Sequence, residues 1–330
     1  MKTNRRHFIR TSAAIMLTAS LSKSPSYAGE GDDVPIIDTH QHLWDLDKFV
    51  LPWLNGEGEP AVLKRSYVTK DYLEATEGLN VVKAVYMEVD VRPDLHDKEA
   101  EHVIALSKSS EHPTAAAVIS GRPASENFAV YFTQYKNVPE IKGVRQVLQV
   151  PETPQGFCLG ETFVKNVQLL GKLGKSFDLC MRPSELGDGA KLADRCPDTL
   201  CIVDHCGNAD PKAWFPETRR EGKEPWHAVD QWKRDMEALA KRKNVICKIS
   251  GIIARATKDW KAEDLAAPIN HCLDTFGPDR VIYGGDWPVC KVMAPYREWV
   301  IALKRIIASR SQKEQKKLFH DNAVKYYGLG

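Results

Sequence analysis

Short apolar runs rich in β-branched residues recur along the chain at residues 34–40, 81–89, 115–120, 142–148, 176–181, 200–205, 245–250 and 280–285. None alternates cleanly between apolar and polar positions, which suits strands covered on both faces, as in a parallel sheet. Successive starts lie 24 to 47 residues apart, and the intervals carry helical spacing. Trp226, Val229, Trp232, Met236 and Leu239 fall three and four apart, the stripe of a one-sided helix. Ser311 with Glu314 forms a capping box ahead of a last helix running toward Tyr327. Eight such units predict an α/β (β/α)₈ TIM barrel in one domain, with a doubly wound open sheet as the alternative. No repeat, linker or composition break marks a second domain, and the Gly-Glu-Gly-Glu-Pro stretch at 56–60 reads as a loop of the first unit.

Residues 1–28 follow a different pattern. Arg5 and Arg6 precede Phe8 and Arg10, an uncharged stretch runs from Thr11 to Ser22, and Ser26-Tyr27-Ala28 supplies a small-x-small ending. This predicts a cleaved export signal of the twin-arginine type, hence a periplasmic or exported mature domain over 29–330. A basic tail without that role is the alternative. The whole chain has 46 basic against 44 acidic residues; losing Lys2, Arg5, Arg6, Arg10 and Lys23 leaves 41 basic and a net charge of −3. Such a balance gives no footprint for nucleic acid. No uninterrupted apolar run reaches the ~18 residues that a membrane span needs. Among the eight cysteines, Cys180, Cys201, Cys247 and Cys290 lie in or beside apolar runs, where a thiol packs as a small hydrophobe. There is no CxxC and no zinc-module spacing, although one disulfide stays open.

The chemistry collects at strand ends. The first run ends Asp38-Thr-His40-Gln-His42-Leu-Trp44, and residues two apart on a strand share a face, so His40 and His42 point together. The sixth run leads into Asp204-His205 and the eighth into Gly-Gly-Asp286-Trp287-Pro288. In a (β/α)₈ barrel these positions share the C-terminal mouth, where active sites lie. Two hydrogen-bonded structural histidines and a capping aspartate are the plainer reading of each alone. No G-x-G-x-x-G, Walker loop, G-x-S-x-G or H-E-x-x-H occurs, which counts against nicotinamide, nucleotide and serine-esterase chemistry.

With Ile-Asp-Thr-His40-Gln-His42-Leu-Trp44, Lys142-Gly-Val-Arg145, Val203-Asp204-His205, Tyr283-Gly-Gly-Asp286-Trp287-Pro288 and the ending Asp321-Asn-Ala-Val-Lys-Tyr-Tyr, the chain resembles the amidohydrolase superfamily, in its amidohydrolase-related branch of lactonase-like enzymes. The resemblance implies a hydrolase in which Asp286 activates water against a small, sugar-derived or similar lactone. His40, His42 and His205 assist, while Arg145, Trp44, Trp287 and Glu88 contact or organise substrate. Arg145 also reads as an interior salt-bridge partner of Glu88. Trp53, Trp214 and Phe215 extend the expected aromatic wall. The fourth strand ends at Arg145 and the fifth at Cys180-Met181-Arg182, where binuclear relatives carry bridging and histidine ligands, so two metals are not expected. A single divalent ion, zinc before others, on His40, His42 and Asp286, joined or not by His205, and a metal-independent site both remain open. The competing functions are a decarboxylase or amide hydrolase on the same frame, and a barrel that binds a ligand without turnover.

Overall fold

The computed structural model describes residues 34–330 apart from 57 and 221–223, so the export signal expected over 1–28 lies outside the described residues. Eight parallel strands appear in chain order: β1 (Ile36–Gln41), β2 (Val81–Met87), β3 (Thr114–Ser120), β4 (Ile141–Val147), β5 (Ser176–Cys180), β6 (Cys201–Val203), β7 (Val245–Ile249) and β8 (Val281–Tyr283). Each coincides with one of the apolar runs to within a few residues. Neighbours in space are neighbours in sequence throughout, which a doubly wound sheet would not allow. The first and last strands meet through a parallel bridge between Gln41 and Trp287, and His42 N donates to Trp287 O at 2.7 Å. The architecture is therefore a (β/α)₈ barrel.

Strand alternation sorts the interior into two levels. Ile37, Val85, Val118, Ile202, Ile246 and Ile282 form an apolar floor packed against Ala323, Tyr327 and Leu329 from the chain's end. One step further along the same faces stand Asp204, two residues after Ile202, and Lys248, two after Ile246. Outside the strands, helices bury their own stripes against the sheet. The helix Val229–Ala240 buries Trp232, Met236 and Leu239, as its spacing predicts. Trp226 departs from that stripe: it precedes the helix, is exposed, and lies flat against the Arg255 guanidinium at 4.0 Å, a cation–π contact. The Ser311–Glu314 capping box is present and starts the helix Gln312–Lys316. Among the described residues, no helix is long and apolar enough to cross a membrane, and all eight cysteines are buried and unpaired.

Candidate active site

The closure of β1 on β8 is built around one buried carboxylate. Asp38 accepts from Gly285 N at 2.7 Å, His40 N at 2.9 Å, Tyr72 Oη at 2.9 Å and Tyr296 Oη at 3.1 Å. A Cβ on Gly285 would strike the Asp38 carboxylate and the Tyr296 ring, so only glycine lets the backbone pass there. The next residue, Asp286, turns into the left-handed region at φ 52°, as does His205 at φ 55° after β6. Non-glycine residues held in that region mark sites where the surroundings over-determine an unfavourable backbone.

These turns aim Asp286 at His40 of β1 and at His42 just beyond its end. Its Oδ1 lies 3.4 Å from His42 Nε2 and 3.7 Å from His40 Nε2. His42 Nδ1 sits 3.0 Å from Met87 O. A carbonyl only accepts, so Nδ1 carries the proton and Nε2 faces the carboxylate. For His40, Arg145 Nη1 approaches Nε2 at 3.1 Å. Lys248 Nζ approaches the other nitrogen, Nδ1, at 3.3 Å, and Asp204 Oδ1 lies 3.6 Å from it, so a cationic donor faces each ring nitrogen. Burial, then the Lys248 charge beside it, pushes His40 well below the usual histidine range, and the ring is neutral. His205 packs its ring 4.4 Å from that of His40 and shares a hydrogen bond with Ser250 Oγ at 2.9 Å. Burial lowers His205 to about 4, against the pull of Asp286 and Asp204.

Beneath the histidines lies a charge network whose extent the sequence did not announce. Lys248 Nζ reaches Asp178 at 2.7 Å, Asp204 at 3.0 Å and His40 Nδ1 at 3.3 Å, with no side-chain exposure in Lys248, Asp178 or Asp204. Arg145 binds Glu88 Oε1 at 2.6 Å and the Glu88 carbonyl at 2.8 Å, and leans 3.5 Å from Asp204. Burial alone would raise the Asp204 carboxyl, but Lys248 and then His40 outweigh it and hold it well below the carboxylate range. Asp178 is left with the shortfall: burial raises it to about 7 despite Lys248. The signals available were a lysine inside the apolar run Val-Ile-Cys-Lys-Ile and an aspartate inside Ser-Phe-Asp-Leu-Cys.

A cavity of about 370 Å³ opens above this layer, a size for one small ring compound. His42, Trp44, Trp53, Arg145, His205 and Asp286 line it, joined by Asn208 and Arg255. Not every expected contact reaches it. His40 and Glu88 are fully buried outside its lining, each in contact with Arg145. Trp287 is buried outside the cavity lining, edge-on to Tyr67 and Tyr72. Trp214 packs on Trp232 and His227, and Phe215 is buried under Arg219. Arg255 was not singled out in the sequence, where nothing separates it from a surface arginine.

Among the described residues, two clusters could hold a metal ion, each with ligand atoms within 4.8 Å of one another: His40–His42–Asp286 and His40–Asp204–His205. The second already contains a cation, the Lys248 ammonium at 3.0 Å from Asp204. The first suits one divalent ion by donor type. His42 presents Nε2 with its other nitrogen fixed by a carbonyl, as histidine ligands usually are. Binding through His40 Nε2 means displacing its hydrogen bond from Arg145.

A sequence profile of the family described as Amidohydrolase matches residues 37–329. The L-fucono-1,5-lactonase of Burkholderia multivorans is 26% identical over 302 residues, covering 89% of this chain and 96% of that protein. The L-rhamnono-gamma-lactonase of Scheffersomyces stipitis is 24% identical, covering 89% and 98%. A crystal structure of an amidohydrolase from Burkholderia multivorans with bound zinc superposes at TM-score 0.76 with 25% identity, covering 90% of this chain and all of that one.

Proposed function

The chain belongs to the amidohydrolase family and is a hydrolase; from that premise we propose that it opens a small lactone with water activated by Asp286. One observation carries the reading: Asp286, His42, His205 and Arg145 face a single cavity sized for one ring, with Asp286 Oδ1 held at 3.4 Å from His42 Nε2. The lactonase names of two relatives that cover almost the full domain support it.

In this mechanism Asp286 takes a proton from water as the oxygen attacks the lactone carbonyl carbon. Negative charge develops on the carbonyl oxygen. Arg145, charged at any working pH because Glu88 and Asp204 outweigh the effect of burial, supplies a positive field on that side. His205, neutral near pH 7, hydrogen-bonds the water or the carbonyl without adding charge. The ring carbon–oxygen bond then breaks, Asp286 returns its proton to the departing alkoxide, and the product is a hydroxy acid that loses one proton to solvent. His40, His42 and Asp286 would hold a divalent ion where one binds, and such an ion would polarise the carbonyl.

A lactone panel read with a pH indicator tests the reaction class. Ring opening releases a proton, a decarboxylation consumes one, and a ligand-binding barrel does neither. Acid release on at least one small lactone is expected; proton uptake on carboxylated substrates alone would overturn the lactonase reading. We also propose export, on the strength of Arg5-Arg6 and the Ser26-Tyr27-Ala28 ending. N-terminal sequencing from the native host should start near Gly29, and an intact Met1 would contradict it.

A further inference from the structure

The two histidines that line the cavity are held from behind by different partners. His42 gives its Nδ1 proton to the Met87 carbonyl at 3.0 Å, which leaves Nε2 bare toward Asp286. His205 meets a hydroxyl instead: Ser250 Oγ lies 2.9 Å from its Nδ1. Ser250 directly follows β7, is wholly buried and stands outside the cavity lining, whereas His205 belongs to that lining. The ring therefore turns its Nδ1 edge into the protein and its Nε2 edge toward the cavity.

A hydroxyl can donate or accept, and its surroundings decide which. Among the described residues, His205 Nδ1 is the one hydrogen-bond partner of Ser250 Oγ. Were Nδ1–H the donor, the Ser250 proton would be left buried without an acceptor, an arrangement that folded proteins avoid. With Ser250 donating, Nδ1 accepts and the neutral ring carries its proton on Nε2. The backbone around the pair fixes where the ring lies. His205 stands at φ 55° and Gly251, next after Ser250, at φ +64°. A Cβ on Gly251 would strike Nδ1 and Cγ of the same ring, so glycine lets the main chain lie against the edge that Ser250 holds.

Resting on the lactone reading, we infer that Ser250 is a positioning residue: its hydroxyl fixes His205 in the Nε2–H form and keeps that proton aimed into the cavity, as a donor to the oxygen of the lactone carbonyl. A nitrogen that already carries a proton takes none from water, so proton acceptance stays with Asp286. The two histidines divide the work by tautomer, His42 presenting a lone pair beside Asp286 and His205 presenting a donor. A hydrogen bond to the carbonyl oxygen strengthens as negative charge builds there, so the placement of this donor bears on the chemical step more than on substrate binding.

Nitrogen NMR spectra of the histidine rings, taken on the whole protein at neutral pH, read the tautomer without a substrate. The His205 signals are assigned by their loss in His205→Gln. Wild type should show a protonated Nε2 and a bare, hydrogen-bonded Nδ1. Ser250→Ala should move the Nδ1 signal to that of a bare nitrogen without a donor, and Ser250→Thr should leave it in place. A protonated Nδ1 in wild type, or an Nδ1 signal that Ser250→Ala leaves unmoved, would overturn the inference. Kinetics on whichever lactone the panel identifies then read the consequence. Ser250→Ala should lose about 10–100-fold in kcat with little change in KM, and Ser250→Thr should recover most of it. Wild-type kcat in a folded Ser250→Ala enzyme, or a loss confined to KM, would also overturn it. Melting curves report folding, and where Ser250→Ala does not fold, the wild-type tautomer and Ser250→Thr decide. If no lactone turns over, the lactone reading fails by itself and the ring spectra decide for Ser250.

Discussion

Replacing Lys248 by Met removes the one ammonium that bridges Asp178 and Asp204. All three side chains are inaccessible, with Nζ 2.7 Å from one carboxylate and 3.0 Å from the other. The aliphatic stem is replaced at similar volume, so the loss is electrostatic. Taking one partner out of a buried pair typically costs about 3–5 kcal/mol because an uncompensated charge stays behind. Arg145, 3.5 Å from Asp204, offsets part of it, which places the expected cost at the lower end of that range. The deficit depends on pH with a definite sign. Asp178 already rises from 3.8 to about 7, and Lys248 is the main group holding it down. Without the lysine it rises further. A carboxyl raised in the folded state contributes stability below its ordinary value and loses it as pH rises through the folded value. Urea unfolding of Lys248→Met should therefore show a smaller deficit near about pH 5 than near about pH 8. Lys248→Met combined with Asp178→Leu should recover part of the loss, since the pair is then removed together. A variant within about 1 kcal/mol of wild type at both pH values would refute the argument that this pair is tightly held.

Other consequences are equally direct. Burial, then the Glu88 charge, raises Glu99 from 4.5 to about 7, while its Oε1 accepts from Tyr86 and Val89. Its contribution is full below 4.5 and lost as pH rises through about 7, so Glu99→Gln should match wild type in acid and melt higher in alkali, by up to about 3 kcal/mol in stability. A melting temperature below wild type at both extremes would refute this. Gly251 adopts φ +64°, and a Cβ there would overlap the His205 ring. Gly251→Ala should cost about 1–3 kcal/mol and most of the activity, as melting and kinetics would show; wild-type kcat would mean that His205 moves aside freely. Dialysed protein should hold no more than one divalent ion per chain by elemental analysis. Two tightly held ions would contradict the view that Lys248 fills the second cluster.

The barrel was legible because its strands are buried on both faces, so each reads as an uninterrupted apolar run. Strand ends were legible for the same reason: a histidine or aspartate that closes such a run has to lie at a barrel mouth. The interior network was not. Asp178 and Lys248 are one residue each within apolar runs, and only the closure of the sheet sets them 2.7 Å apart. Aromatic residues carried the least positional information. Trp44 and Trp53 reach the cavity whereas Trp287 and Trp214 pack elsewhere, because loop paths, which local spacing does not encode, decide between the two.

The central claim, that Asp286 is the proton acceptor, is tested most directly by steady-state kinetics of Asp286→Asn on whichever lactone the panel identifies. The substitution keeps the shape and one hydrogen-bonding oxygen and removes the basicity. A general base typically supplies about 10²–10⁴-fold, so kcat should fall by that order with a much smaller change in KM and an unchanged fold. A folded Asp286→Asn enzyme with near-wild-type kcat would contradict the account and move the base to His205.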